Sequence, residues 1–426
     1  VLDVKRIVAD PETVRRAAAA KNEKRADVDG VLALNEQRRA LQTQTDELRR
    51  RLKEGSQKVG ALKKQGDDAA ALVAANRALG DEISALEERI RNVEAALHEK
   101  LQWIPNPAAE DVPVHPGAEG DRPVRTVGAE PTFDFAPVPH WEVGRRLGIL
   151  DFERAAKLAG SNFALFRGDG ALLQRGLINF MLDLHAREHG YVEISPPYIA
   201  NRESMVATGQ IPKLEEDMYR LDRDDGFLIP TAEVPVTNLH RDETLAADQL
   251  PLRYVSYTAC FRREAGAYGA DTRALLRVHQ FDKVELVHFT HPDRSWDALE
   301  ALLGHAEEVL KRLGLRYRVV LLSTGSMSFA SAKTYDIEAW APGVKQWLEV
   351  SSCSNFTDFQ ARRGAIRFRD ADGKVKLVHT LNGSGVALPR TMIALLETYQ
   401  QEGGGVFIPP ALRPYVGGKS ELAPPK

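Results

Sequence analysis

Two short stretches of this chain carry side chains suited to a bent nucleoside triphosphate. They are Cys260-Phe261-Arg262-Arg263-Glu264 and, after a Gly/Ala-rich interval, Arg277-Val278-His279-Gln280-Phe281. Guanidinium groups grip phosphate oxygens, a carboxylate such as Glu264 can accept from an exocyclic amine, and an aromatic ring such as Phe281 can stack on a base. β-Branched and aromatic neighbours predict two strands of one hairpin, joined by a mobile loop from Ala265 to Ala274. Period-two alternation puts Arg262 and Glu264 on one face of their strand, and Phe281, Lys283 and Glu285 on one face of theirs. Cross-strand salt bridges on a solvated face would explain any single pair. They do not explain an aromatic ring among the charges.

Three further motifs add polar groups: Thr231-Ala232-Glu233-Val234, Glu349-Val350-Ser351-Ser352-Cys353-Ser354, and the run from His379 to Gly385 followed by Pro389-Arg390-Thr391. The Gly-x-Gly at Gly383 and Gly385 reads as a tight turn, weak evidence alone. Pro389 suits a helix start, where Arg390 would meet phosphate with help from the helix N-terminus. Glu349 and Ser352 are three apart, so a flat strand aims them at opposite faces. Only a bulge or bend lets both hold one Mg²⁺, and spacing alone argues against that site. No Walker A loop, His pair at metal spacing or Ser-His-Asp arrangement competes.

These groups need a scaffold. The chain has 426 residues, 43% of them apolar and 27% charged, enough for a large core and at least two domains. A net charge of -3 confines any nucleic-acid binding to a local patch. The two cysteines, Cys260 and Cys353, read as buried free thiols in a reducing, cytoplasmic compartment. No signal-peptide segment and no apolar run of transmembrane length are expected.

Residues 31–101 are nearly proline-free and predict a helical hairpin. Leu72, Asn76, Leu79, Ile83, Leu86, Ile90, Val93 and Leu97 alternate in steps of four and three, a coiled-coil seam matched by Leu34, Leu41, Leu48, Leu52, Val59 and Leu62. Gly66-Asp67-Asp68 offers the turn. The outgoing helix is strongly basic, which fits either a solvated coiled coil with complementary flanks or a face for a phosphate backbone. The Pro/Gly-dense span 104–139 reads as a linker with surface loops. Beyond it come a helix from about Ala171 to Glu188, an extended edge segment at Tyr191 to Pro197, strands from Phe227 to Arg369 interrupted by a helix at Ser295 to Leu313, and a helix after Pro389. That order predicts an α+β domain on an antiparallel sheet. The tail 417–426 reads as disordered.

Taken in order behind the helical hairpin, these motifs closely resemble the bacterial-type seryl-tRNA synthetase family of class II aminoacyl-tRNA synthetases, over nearly the whole chain. The resemblance implies an all-α domain at 1–103 with a tRNA-binding coiled-coil arm at about 31–101, and a class II catalytic domain at 140–416. It implies a homodimer, Mg²⁺ and ATP, and attachment of L-serine to tRNA(Ser), and to tRNA(Sec) where present, through a seryl-adenylate. Carried over by position, Arg262 would bridge the α-phosphate and the serine carboxylate, Glu264 and Phe281 would hold adenine, and Arg277 and Arg390 would fold back the outer phosphates. Arg263, Val278, Val350 and Ser351 match further ATP positions. Glu349 and Ser352 match the Mg²⁺ positions, against the reading from spacing. Thr231, Ala232, Glu233, Arg262, Glu285, Asn382 and Ser384 match the serine positions, with Glu285 and Ser384 nearest the hydroxyl.

The family usually has Asp at Ser326 and Gly at Ala274, departures that put loop conformation in question, and this sequence begins at Val1. Two other readings stand beside this one. An activator that loads a carrier protein shares the fold but lacks a long arm of this kind, and a scaffold with an inactive synthetase domain would not need Arg262, Glu264, Glu285 and Arg390 intact.

Overall fold

The computed structural model describes residues 2–265 and 273–425, so most of the loop expected from Ala265 to Ala274 lies outside the described residues. Two compact units divide the chain, Val1–Pro105 and Asn106–Lys426.

The first unit holds α1 (Val4–Ala9), α2 (Pro11–Ala20), α3 (Val28–Gln65) and α4 (Ala70–Leu101). Asp27 caps α3 by accepting from the Gly30 N–H, and Gly66, at φ 81°, closes it in the left-handed conformation that glycine adopts without penalty. Asp68 then accepts from the Ala70 N–H at 2.8 Å and starts the return. The seam buries Leu41, Leu48, Ile83, Leu86, Ile90 and Val93, with Leu34, Leu52 and Leu79 packed against them. Asn76 takes its seam position where Gly55 gives it room: a Cβ on Gly55 would meet the Asn76 Oδ1 at 2.1 Å.

The basic helix divides. Arg38 pairs with Glu94, Arg49 with Glu87, and Arg50 with Glu47 and Glu54. Arg39, Arg51, Lys53, Lys58, Lys63 and Lys64 are exposed.

The second unit is built on an eight-stranded sheet. Its strands are β1 (Arg122–Val127), β2 (Val192–Glu193), β3 (Leu252–Phe261), β4 (Gln280–Thr290), β5 (Tyr317–Leu321), β6 (Lys333–Ala341), β7 (Gln346–Asn355) and β8 (His379–Ala387). The order is β1-β5-β6-β7-β8-β4-β3-β2, antiparallel except for β2 beside β3. Helices of the same unit include α5 (His140–Arg146), α6 (Asp169–Asp183), α7 (Ser295–Leu313) and α8 (Leu388–Thr398). α7 lays Leu299, Leu302, Leu303, Ala306 and Leu310 into the main core with Val350, Cys353 and Leu381 of the sheet. Both thiols are buried and free, and burial pushes Cys353 up to about 12, which keeps it a thiol.

Three expectations change here. The span 104–139 is more than a linker, since β1 lies within it and pairs with β5, and Asn106 is buried, donating to the Ala330 and Phe356 carbonyls. Five of the six β1 residues face solvent and Pro123 sits at a register shift, so neither apolar alternation nor composition announced a strand. The tail expected to be disordered is ordered over residues 417–425: Glu421–Leu422 pairs with Val406–Phe407, and Leu422 is buried in the main core. A single apolar side chain in a short polar tail left no periodicity to see. The His379 to Gly385 run is a strand, β8, and not a tight turn. Among the described residues no helix is long and apolar enough to cross a membrane.

Candidate active site

The antiparallel pairing of β3 and β4 sets Cys260 opposite Phe281 and Phe261 opposite Gln280. Regular strand ends at Phe261, and Arg262, Arg263 and Glu264 continue beyond it, with Glu264 at φ 50°. The strict alternation expected for Arg262 and Glu264 is therefore lost, yet both still line one cavity of about 650 Å³. Thr231, Glu233, Arg277, Val278, Phe281, Glu285, Glu349, Ser352, Asn382, Ser384 and Arg390 line it too. Ala232, Arg263, Val350 and Ser351 do not. Ser351 instead supports the wall from behind, its Oγ donating to the Ser384 carbonyl at 2.6 Å.

Two bulges shape the wall. Ile337 pairs with Ser351 but Glu338 pairs with Glu349, so Val350 is an extra residue on β7. This extra residue restores common parity to Glu349 and Ser352 and brings both to the cavity, the bend that their three-residue spacing required. On β8, Ser384 pairs with Glu285 while Val386 pairs with Val284, which makes Gly385 the extra residue. Behind the wall, a Cβ on Gly383 would meet the Cys353 Sγ at 2.8 Å.

Among the described residues, three ion pairs lie in this cavity. Arg277 Nη1 meets Glu264 Oε2 at 2.5 Å, Arg390 Nη1 meets Glu349 Oε2 at 3.3 Å, and Lys283 ion-pairs with Glu285. The Arg262 guanidinium lies 5.1 Å from the Phe281 ring centroid, and its Nε donates to the Pro230 carbonyl. Lys283 Nζ also donates to Thr231 Oγ1 at 2.9 Å, and Gln360 Nε2 donates to Glu233 Oε1 at 2.6 Å. Burial, and then the neighbouring Glu285 carboxylate, push Glu233 up to about 7.

Beside Ser352 stands Asp336, opposite it in the β6–β7 register. Burial, and then Glu349, hold the Asp336 carboxyl well above the usual carboxylate range, and its Oδ1 is buried without a hydrogen-bond partner. Glu349, Ser352 and Asp336 thus gather hard oxygen donors beside an under-neutralised carboxyl, chemistry that suits Mg²⁺. No cage of three or more His, Cys, Asp or Glu forms among the described residues.

Three contributors were not assigned a part from the sequence. Lys283 was placed on the right face by alternation but given no partner. Asp336 is visible only as one member of the alternating run Tyr335-Asp336-Ile337-Glu338. The wall from Thr208 to Met218, with Lys213 and Asp217, lies outside every motif; Asp217 Oδ1 accepts from the Ala265 N–H and its carbonyl from the Arg263 N–H. The departure at Ser326 has a local answer, since its Oγ donates to Asp121 Oδ2 at 3.0 Å. Ala274 adopts φ 58°, a conformation that glycine takes more readily.

Comparison with known proteins covers both units. Residues 1–108 match the seryl-tRNA synthetase N-terminal domain and residues 216–399 the tRNA synthetase class II core domain (G, H, P, S and T). The serine–tRNA ligase of Geobacter sulfurreducens is 54% identical over 390 residues, 91% of this chain and 92% of that protein. That of Geobacillus kaustophilus is 52% identical over 99% of this chain and all of its own length. Among solved structures, Pyrococcus horikoshii seryl-tRNA synthetase complexed with ATP superposes with a TM-score of 0.95 at 35% identity, covering 100% of both chains.

The buried Lys283–Glu285 pair gives a stability test. Removing the lysine strands a carboxylate, so Lys283→Met is expected to lower the unfolding free energy by about 3 kcal/mol. Adding Glu285→Gln should recover more than half of that loss in a urea-unfolding double-mutant cycle.

Proposed function

As a member of the seryl-tRNA synthetase family, the chain is a class II serine–tRNA ligase that uses ATP, and we propose how its cavity divides that work. The observation that carries the proposal is the convergence, in one cavity, of two buried carboxylates, Glu233 and Glu285, with Arg262, Arg277 and Arg390.

The serine ammonium pairs with Glu233 beside Thr231, and its hydroxyl donates to Glu285 with Ser384 and Asn382 alongside. A carboxylate built to accept from a hydroxyl is left unpaired by alanine, a penalty that can discriminate by about 10⁴. Arg262 holds the serine carboxylate against the α-phosphate. The carboxylate oxygen attacks the α-phosphorus, the bond to the bridging oxygen breaks, and pyrophosphate leaves with that electron pair. The 3′-terminal adenosine hydroxyl of tRNA then takes the seryl group and releases AMP. Phe281 and Glu264 receive adenine, while Arg277 and Arg390 exchange their carboxylate partners for phosphate oxygens. Positioning and charge neutralisation dominate such chemistry. Bound Mg²⁺, held by Glu349 and Ser352, would neutralise phosphate charge.

We assign the exposed Arg39, Arg51, Lys53, Lys58, Lys63 and Lys64 of α3 to the tRNA(Ser) backbone, and to that of tRNA(Sec) where present. Exposed Val192, Tyr198 and Ile199 around edge strand β2 support a homodimer. The two free buried thiols support a cytoplasmic location.

Arg262→Ala is expected to reduce serine-dependent ATP–pyrophosphate exchange by roughly 10² to 10³ while circular dichroism stays unchanged; near-normal exchange would remove Arg262 from the reaction. Replacing Arg51, Lys53 and Lys58 by Glu should leave that exchange intact, lower tRNA kcat/KM by about tenfold or more and flatten its salt dependence. The pH response follows from Glu233. Serine binding needs its carboxylate form, which protonation removes as pH falls through about 7. The KM for serine should therefore rise by up to about tenfold per pH unit below that point, and Glu233→Gln should abolish the slope at the expense of affinity.

A further inference from the structure

Outside the cavity, the first residues of α5 meet the segment that leads into Arg277. Glu397, in the last turns of α8, is fully buried. Its Oε1 accepts from the His140 backbone N–H at 2.8 Å and lies 3.0 Å from His140 Nδ1. Its Oε2 accepts from the N–H groups of Gly343 and Val344 at 2.8 and 3.0 Å. A carboxylate only accepts, so His140 carries its hydrogen on Nδ1. The lone pair of Nε2 is then turned outward, and it accepts the Leu275 N–H at 3.3 Å.

The neighbouring residue makes a second contact on the same segment. The Arg273 guanidinium lies 4.4 Å from the Trp141 ring centroid. Between these two anchors stands Ala274 at φ 58°, in the left-handed region that side chains with a Cβ rarely adopt. The next carbonyl, that of Leu276, accepts from Arg390 Nε at 3.4 Å. Arg277 follows directly. Arg390 and Glu397 belong to the same helix, seven residues and about two turns apart.

We propose that His140 and Trp141 are positioning residues: they clamp residues 273–276 in a strained turn and so aim Arg277 at the nucleotide. α8 is the common brace, carrying Arg390 at its start and, through Glu397 and His140, fixing the path to Arg277 from its end. The distance between the two phosphate-binding arginines is then set by one helix. The clamp rests on the reading of Arg277 as an ATP ligand.

The test uses pyrophosphate exchange by the full-length protein. His140 is buried, so the variants are placed at the accessible half of the clamp. Arg273→Ala and Trp141→Leu are each expected to raise the KM for ATP about tenfold while the KM for serine and the melting temperature hold. Adding Ala274→Gly to either should restore most of the ATP affinity, because glycine keeps the left-handed turn unaided. Arg277→Ala is the control and should itself raise the KM for ATP. If it does and both clamp variants bind ATP normally, the clamp is wrong and the Arg277 reading stands. Equal losses for serine and ATP, or no rescue by Ala274→Gly, would also overturn the clamp, and an Arg277→Ala protein with unchanged ATP affinity overturns both.

Discussion

Charges held away from bulk water must balance one another, and this constraint organises the catalytic unit. Among the described residues, five cations line the cavity (Lys213, Arg262, Arg277, Lys283 and Arg390) against five carboxylates (Asp217, Glu233, Glu264, Glu285 and Glu349). Three of these ten, Glu233, Lys283 and Glu285, are buried, and an uncompensated charge among them would cost several kcal/mol. Arg277 with Glu264, Arg390 with Glu349 and Lys283 with Glu285 keep the site neutral within itself. On the proposed reading, substrates that are themselves a polyanion and a zwitterion bind by exchanging partners. At the buried Glu233, Lys283 and Glu285 the desolvation has already been met by the fold, so recognition there turns on geometry.

That geometry comes from irregularity placed in a regular sheet. A flat antiparallel array offers every second residue to a given face, too sparse for this many groups. The extra residues Val350 and Gly385 break the parity once on each of two adjacent strands. Val350 turns into the core while Glu349 and Ser352 on either side of the bulge reach the cavity, so the bulge is anchored by apolar burial. Gly383 lets β8 lie against the Cys353 sulfur, where any side chain would push the Asn382 and Ser384 segment forward.

Much of this was legible in the sequence because periodicity survives where one face is buried. The 4-3 spacing of Ile83, Leu86, Ile90 and Val93 gave the arm, and the alternation of Phe281, Lys283 and Glu285 gave a cavity-facing strand. Spacing failed for Glu349 and Ser352, since a bulge is a tertiary decision that three residues do not encode; only family resemblance pointed the other way. It failed again for β1, exposed on nearly every residue, and for the tail, where Leu422 is the one side chain in the main core and backbone pairing does the rest. Pairings such as Arg277 with Glu264, thirteen residues apart across a loop, are invisible until the chain is folded.

Asn76 seated on Gly55 has a consequence for the arm as an object of fixed length. An apolar seam alone tolerates slippage by a heptad, because leucine can replace leucine. The Asn76 carboxamide, seated opposite Gly55, cannot be shifted by a heptad without driving it into a hydrocarbon neighbour. The 38 residues of α3 span roughly 57 Å at helical rise. With its register locked near the tip, that span behaves as a calibrated ruler, and insertions would be accommodated only as matched pairs on both helices.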